Sequence, residues 1–357
     1  MSWWWMFPAL GGALAAAEAG ARAYHKAYFQ VPFHERHIGE YPYDQFIEKR
    51  DPPLYFAFRP NFSSPQVHIN RFGLRGPQPA PDGVKRRLLL IGESNYFGAK
   101  LRRERDLWSI RLERMLHQAG YGGWEVLNAG VPGYNAVQYR HWWETILIHT
   151  RPEILVLEMG ANDLTQAYVM GREWRPGAPW PWEFLMAQRR ASPWWQKPLL
   201  YSCLYFLAHR RALTERKGFE AKDDVFPKQQ CLDTILENAR AIIALARKHG
   251  IRVLLTNVAL VYSLDIGPEG LRACQAIQSN ARESLETNGR HLVEHFLYWV
   301  KDFAAEMDLP ALDLTSRFWS HPRRYEMYLD VAHWRPKGHA LAAQALFERI
   351  QELGWWK

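Results

Sequence analysis

Arg86-Arg87-Leu88-Leu89-Leu90-Ile91-Gly92-Glu93-Ser94-Asn95 decides how this chain is read. A short apolar run stops at a glycine, and a serine follows. Runs of this kind are the pattern of parallel strands covered on both faces. The form recurs at Glu125–Leu127, Ile154–Leu157, Arg252–Val258 and Ala311–Leu314, each leading into polar or glycine-containing sequence. Between the runs, the spacing predicts helices over Leu107–Ala119, Val137–His149, Leu232–His249 and Pro336–Leu353. In the last, Ala342, Leu346, Ile350 and Leu353 recur at helical intervals. Strands alternating with helices predict a doubly wound α/β sheet. Such sheets bind ligands beyond the carboxyl ends of their strands, so the residues after each run carry the functional reading.

Ser94 follows Gly92 at a strand-to-helix turn, which displays its hydroxyl at the sheet edge. Taken singly, it is also a common turn serine. The second run ends in Asn128-Ala129-Gly130, where a glycine lets a ligand approach the backbone or simply makes a turn. The third ends in Gly160-Ala161-Asn162-Asp163. The Asn162 amide is either an oxyanion donor or a helix cap. Near the C-terminus stands Asp330-Val331-Ala332-His333. An Asp and a His three apart in a turn can face one site, with the imidazole as base and the carboxylate orienting it. The alternative is a capping Asp beside an incidental His. His339, His321, His141 and His149 rank behind His333 as the base.

These four elements, in this order, resemble the SGNH (GDSL-type) hydrolase family from Arg86 to about Leu353. The resemblance implies a flavodoxin-like three-layer α/β/α sandwich with a central, mostly parallel five-stranded sheet. It implies Ser94 as nucleophile, His333 as base and Asp330 as its partner. The backbone N–H groups of Ser94 and Gly130 and the Asn162 side chain would form the oxyanion hole. Two positions depart from the family pattern. Glu93 stands where the family has Asp, and Asn95 stands where it has Leu. Asn95, Tyr96 and Trp334 flank the nucleophile and the base and are the candidate substrate contacts, with turn and packing roles as the alternative. The segment Asn70-Arg71-Phe72-Gly73-Leu74-Arg75-Gly76 looks like the lead-in of bacterial members that carry an apolar N-terminus.

Composition bounds the rest. Of 357 residues, 48% are hydrophobic and 23% charged, which excludes a disordered chain. The net charge of +8 fits an anionic surface or substrate. No nucleic-acid motif or long basic run accompanies it, so no nucleic-acid partner is expected. Three cysteines without a Cys-x-x-Cys argue against a disulfide framework or a zinc site. No metal or organic cofactor is expected.

Residues 1–26 form an apolar N-terminal segment, uncharged as far as Ala17. It reads equally as a peripheral membrane anchor or as a packed helix. Arg22 and Lys26 follow the apolar run, and no basic region precedes it. The body of the chain is therefore expected in the cytoplasm or on the cytoplasmic face of the membrane, with secretion as the other route. Residues 27–85 read as an extended lead-in with one or two short strands, such as Val67–Asn70. Residues 86–357 form the catalytic domain. An aromatic-rich insertion at about 168–226 either lines the site or is a surface excursion. The expected function is a serine esterase acting on a small-molecule, glycan or lipid ester. One alternative is an O-acyltransferase using the same residues. The other is a non-catalytic protein whose aromatic groove binds glycan or lipid.

Overall fold

The computed structural model describes residues 6–29, 43–101, 103–179, 225–261, 267, 270, 274 and 289–357. The expected insertion falls outside these over 180–224, and with it Trp180, Trp182, Trp194, Trp195 and Cys203.

A hairpin of β1 (Ile47–Lys49) and β2 (Phe56–Phe58) precedes the main sheet. The main sheet joins β3 (Arg86–Gly92), β4 (Trp124–Gly130), β5 (Ile154–Leu157), β6 (Arg252–Thr256) and β7 (Ala311–Leu312). All its pairings are parallel, in the order β4-β3-β5-β6-β7. Leu88, Leu89, Leu90 and Ile91 are wholly buried although their side chains alternate between faces. Helices cover both sides, which is why the strands read as unbroken apolar runs.

The chain steps from β3 to β4 in one direction and from β4 past β3 to β5 in the other. Right-handed crossovers then put the intervening helices on opposite faces. Trp108–Gln118 packs with the C-terminal helix Pro336–Glu352. On the other face Ala136–Thr145 packs with Lys228–Lys248, flanked by Ala161–Met170. The result is a three-layer α/β/α sandwich, as expected. The reversal beside β3 opens a crevice at the carboxyl ends of the strands.

The lead-in is irregular, but it joins this core. The strand expected at Val67–Asn70 is reduced to isolated bridges, Ser63 with His68 and Ile69 with Arg75. The Asn70 side chain explains the shortfall. Its Oδ1 accepts the N–H groups of Phe72 (3.0 Å) and Leu74 (3.2 Å), which folds a turn in place of a ladder. The turn delivers Arg75 to the core at 1% exposure. Its guanidinium donates to the carbonyls of Phe97 (2.5 Å) and Gly98 (3.0 Å) and lies over the Phe97 ring. Its N–H donates to Asn128 O at 3.1 Å. Arg75 thus ties the lead-in to both β4 and the segment after Ser94.

Before the hairpin lies the helix Met6–Phe29, with Leu10 and Leu14 exposed one turn apart. No helix among the described residues is long and apolar enough to cross a membrane.

Replacing Arg75 with Met keeps the apolar stem but strands the carbonyls of Phe97, Gly98 and Gln66. Arg75→Met is expected to lower unfolding stability by about 2–4 kcal/mol, read from urea melts. An unchanged midpoint would refute this role.

Candidate active site

Gly92 closes β3 where a side chain has no room: a Cβ there would lie 2.4 Å from the Tyr96 ring. The chain turns into the short helix Ser94–Phe97. A first-turn N–H has no acceptor inside its own helix, and the Ser94 N–H has no partner among the described residues.

Asp330 and His333 lie in a loop closed by the Tyr328–Trp334 bridge and by Leu329 N–H on His333 O at 2.8 Å. Asp330 Oδ1 accepts the N–H groups of Ala332 (3.0 Å) and His333 (2.7 Å), so the carboxylate folds its own turn. His333 Nδ1 lies 2.9 and 2.8 Å from the two carboxylate oxygens. A carboxylate only accepts, so Nδ1 carries the proton. Nε2 is then an acceptor, and it lies 2.9 Å from Ser94 Oγ. Burial opposes the Asp330 charge. His333 and then Lys100 outweigh it and hold the carboxyl well below the usual carboxylate range.

The β5 end supplies a third element. Gly160 takes φ +116°, and a Cβ there would lie 2.3 Å from His295 Nε2. His295 Nε2 donates to Met159 O at 2.9 Å, supporting the turn from below. The Glu93 carboxylate accepts Gly160 N–H (3.0 Å) and Asn162 N–H (2.9 and 2.8 Å). Asn162 Nδ2 donates to Tyr134 O at 2.9 Å, which uses one of its two hydrogens.

Ser94, His333, Asp330 and Asn162 are therefore placed on one sheet edge, where the sequence puts them. Four other candidates are not. The Gly130 N–H, expected in the oxyanion hole, donates to Asn128 Oδ1 at 2.9 Å. Gly130 is glycine for packing, since a Cβ there would lie 2.2 Å from Phe97 N. Gly133, in the turn that follows, takes φ +90°, and its N–H has no partner among the described residues. Asn95 is 4% exposed, and its Nδ2 donates to Ala332 O at 2.7 Å, latching the nucleophile helix to the His333 loop. Tyr96 is wholly buried with its hydroxyl 2.9 Å from Thr256 Oγ1. Trp334 is wholly buried among Trp108, Phe318 and His339, and it donates to Ala259 O. These three side chains face the interior, away from any substrate. His339 is buried too, and neither ring nitrogen has a partner among the described residues.

Sequence reasoning passed over Glu93, which it treated as a departure outside the triad. Its signal was a carboxylate at one strand end facing the glycine-rich turn of the next. Glu158 and Asp163 lie close by, both buried. Glu158 Oε2 accepts Glu93 N–H at 3.1 Å, and Asp163 accepts Ala136 N–H at the start of a helix. Burial pushes Glu158 up to about 8 and Asp163 up to about 7. Burial and then the charge of Glu158 push Glu93 well above its usual value.

A model of the GDSL-like lipase/acylhydrolase family matches residues 90–341, and the chain belongs to that family. It is a hydrolase with the fold of that family. Among solved structures it is similar to a lipase/acylhydrolase from Enterococcus faecalis, at 15% identity over 75% of this chain and 96% of that one, with a TM-score of 0.44. It is also similar to the acetyl xylan esterase AlAXEase (15% identity, 73% and 98% covered, TM-score 0.43). A catalytic mutant of an acetylxylan esterase from Geobacillus stearothermophilus is comparable (14%, 75% and 95%, 0.43). No curated protein matches the chain.

The raised carboxyls set a pH dependence of stability. Each binds more protons folded than unfolded between its ordinary and its raised value, so stability falls as pH rises through that window. Burial pushes His295 and His339 down, to about 4 and about 3. They therefore cost stability only as pH drops below 6.5, their ordinary value. From pH 6.5 to 8 the carboxyls act without that opposition. The melting temperature is expected to fall over this interval, by the equivalent of about 1–2 kcal/mol. Glu158→Gln is expected to flatten the slope. A wild-type melting temperature that rises or stays level would contradict this account.

Proposed function

We propose that this hydrolase is a serine esterase with Ser94 as nucleophile, His333 as general base and Asp330 as the orienting carboxylate. The observation that carries the reading is the continuous line from Asp330 through His333 Nδ1 and Nε2 to Ser94 Oγ, every link within 2.9 Å. His333 takes the Ser94 proton as Oγ attacks the ester carbonyl, then returns it to the leaving alcohol. Asp330 holds the proton-bearing Nδ1 and stabilises the imidazolium. Water attacks the acyl-enzyme by the same route and frees the acid.

Three donors would hold the oxyanion: the Ser94 N–H, the second hydrogen of Asn162 Nδ2, and the Gly133 N–H in place of Gly130. Two observations support Gly133. Its N–H is open, and the carbonyl of its neighbour Tyr134 anchors the Asn162 amide. Asn162 is held from both ends, by Glu93 on its backbone and Tyr134 on its side chain. A donor held in place before reaction costs little to reorganise.

Wild-type protein is expected to hydrolyse p-nitrophenyl acetate and to label covalently with a fluorophosphonate. Ser94→Ala should abolish labelling and lower kcat by about 10⁴–10⁶. Residual activity near the wild-type rate would remove Ser94 from the mechanism. Asn162→Ala should lower kcat by about 10²–10³ with KM nearly unchanged; a change confined to KM would make Asn162 a substrate-binding residue. Acylated product in place of free acid, on adding an acceptor alcohol, would make the enzyme an acyltransferase.

A further inference from the structure

Asp330 has a cation beside it as well as its histidine. The Lys100 ammonium reaches Asp330 Oδ2, the oxygen that lies 2.8 Å from His333 Nδ1. With the two backbone N–H groups on Oδ1, the carboxylate is held from its own loop and from the opposite wall.

Lys100 comes from the nucleophile side. Two tight turns follow the Ser94–Phe97 helix. Gly98 takes φ +73°, Ala99 N–H returns to Ser94 O at 2.9 Å, and Leu101 N–H returns to Gly98 O at 3.2 Å. Between them Lys100 takes φ +69°. That region is costly for a residue with a Cβ and is held only when the surroundings enforce it. The backbone that presents Ser94 therefore also presents Lys100 to Asp330.

An ion pair at this exposure contributes little to folding. The Lys100 side chain is 47% exposed against 17% for Asp330, and exposed pairs are weak and screened by salt. Its effect on the neighbouring imidazole is of another kind. A positive charge beside Asp330 offsets the carboxylate that would otherwise stabilise an imidazolium at His333. Among the described residues, the charged and titratable groups that His339 senses beneath the loop are Arg75, Arg111 and His333 itself. Burial pushes His339 down to about 3, Arg75 donates to the carbonyls of Phe97, Gly98 and Gln66, and Arg111 pairs with Asp106.

We propose that Lys100 is a positioning residue for the Asp330–His333 pair, one that holds the carboxylate against the imidazole and sets the lowest pH at which the pair acts as a base. The proposal rests on the serine esterase reading. Removing the cation lets the pair keep a proton to higher pH, so the acid limb of activity moves up. Replacing Lys with Arg keeps the charge and restores the limb.

The test compares wild type, Lys100→Met and Lys100→Arg with p-nitrophenyl acetate from pH 5 to 9. Alongside, the ¹⁵N signals of the His333 imidazole are followed over the same range. Lys100→Met is expected to shift the acid limb of kcat/KM and the imidazole titration upward together by about 0.5–1 pH unit. The ratio of activity at pH 6 to that at pH 8.5 then falls about 3- to 10-fold. Lys100→Arg restores both, and 1 M salt moves the wild type toward Lys100→Met. An imidazole titration that coincides in wild type and Lys100→Met overturns the proposal. So does an equal loss of activity at every pH, which marks a structural or substrate contact. The NMR titration needs no turnover. Wild-type protein that neither hydrolyses nor labels therefore strikes the esterase reading, while an unmoved titration strikes Lys100.

Discussion

The register of β3 against its two neighbours governs this structure. Gly92 lies opposite Gly130, and Ile91 lies opposite Leu157. Three strands therefore end level, and the residues that follow emerge side by side at one edge. A shift by one residue would reverse every side chain on β3 and carry Ser94 away from Asn162. The register is held by complete burial of the strand on both faces. It is held also by two glycines that admit close neighbours, Tyr96 against Gly92 and the Phe97 backbone against Gly130. The nucleophile helix is wedged between β3 and β4 because neither strand ends in a side chain.

Carboxylates at this edge divide by surroundings. Asp330 meets the Lys100 ammonium, the His333 imidazole and two backbone N–H groups, and its carboxyl is held well below the usual range. Among the described residues, Glu93, Glu158 and Asp163 hydrogen-bond to backbone donors under full burial, and all three are pushed up. Within one site, environment pushes like groups in opposite directions. The division has a chemical consequence. Charge is favoured on the carboxylate that faces the imidazole. It is disfavoured on those behind the turn where an oxyanion would form. Glu93 serves by geometry, drawing the Gly160 and Asn162 backbones toward the nucleophile.

Much of this was legible beforehand. The strands followed from five apolar runs separated by helical spacing. Asp330 and His333 were legible because three residues in a turn keep their partners by local geometry alone. Ser94 and Asn162 were legible because strand ends at one edge of a parallel sheet are neighbours whatever the intervening chain. Which glycine N–H is open was not. Gly130 and Gly133 sit in one short turn, and the Asn128 side chain, reaching two residues along, decides which N–H stays open. Asn95, Tyr96 and Trp334 were misplaced for a related reason. Adjacency to a catalytic residue carries no direction, and in a helix of four residues the next two side chains turn inward. The lead-in read as loosely organised because its one buried cation, Arg75, finds its acceptors in carbonyls rather than in an acidic partner.

The sequence by itself determined the sheet, the family and the candidates for nucleophile and base, because these rest on local periodicity and on turns of a few residues. Tertiary structure decided which donors are open, which carboxyls are pushed up and which down, and that Lys100 meets Asp330 across 230 positions of chain. Those outcomes depend on burial and on contacts between segments distant in sequence, and neither is encoded in any single stretch. The Gly92-Glu93-Ser94 turn shows both sides. Its serine could be named from its place at a strand end. The work of its glutamate appeared only when Gly160 and Asn162 were folded against it.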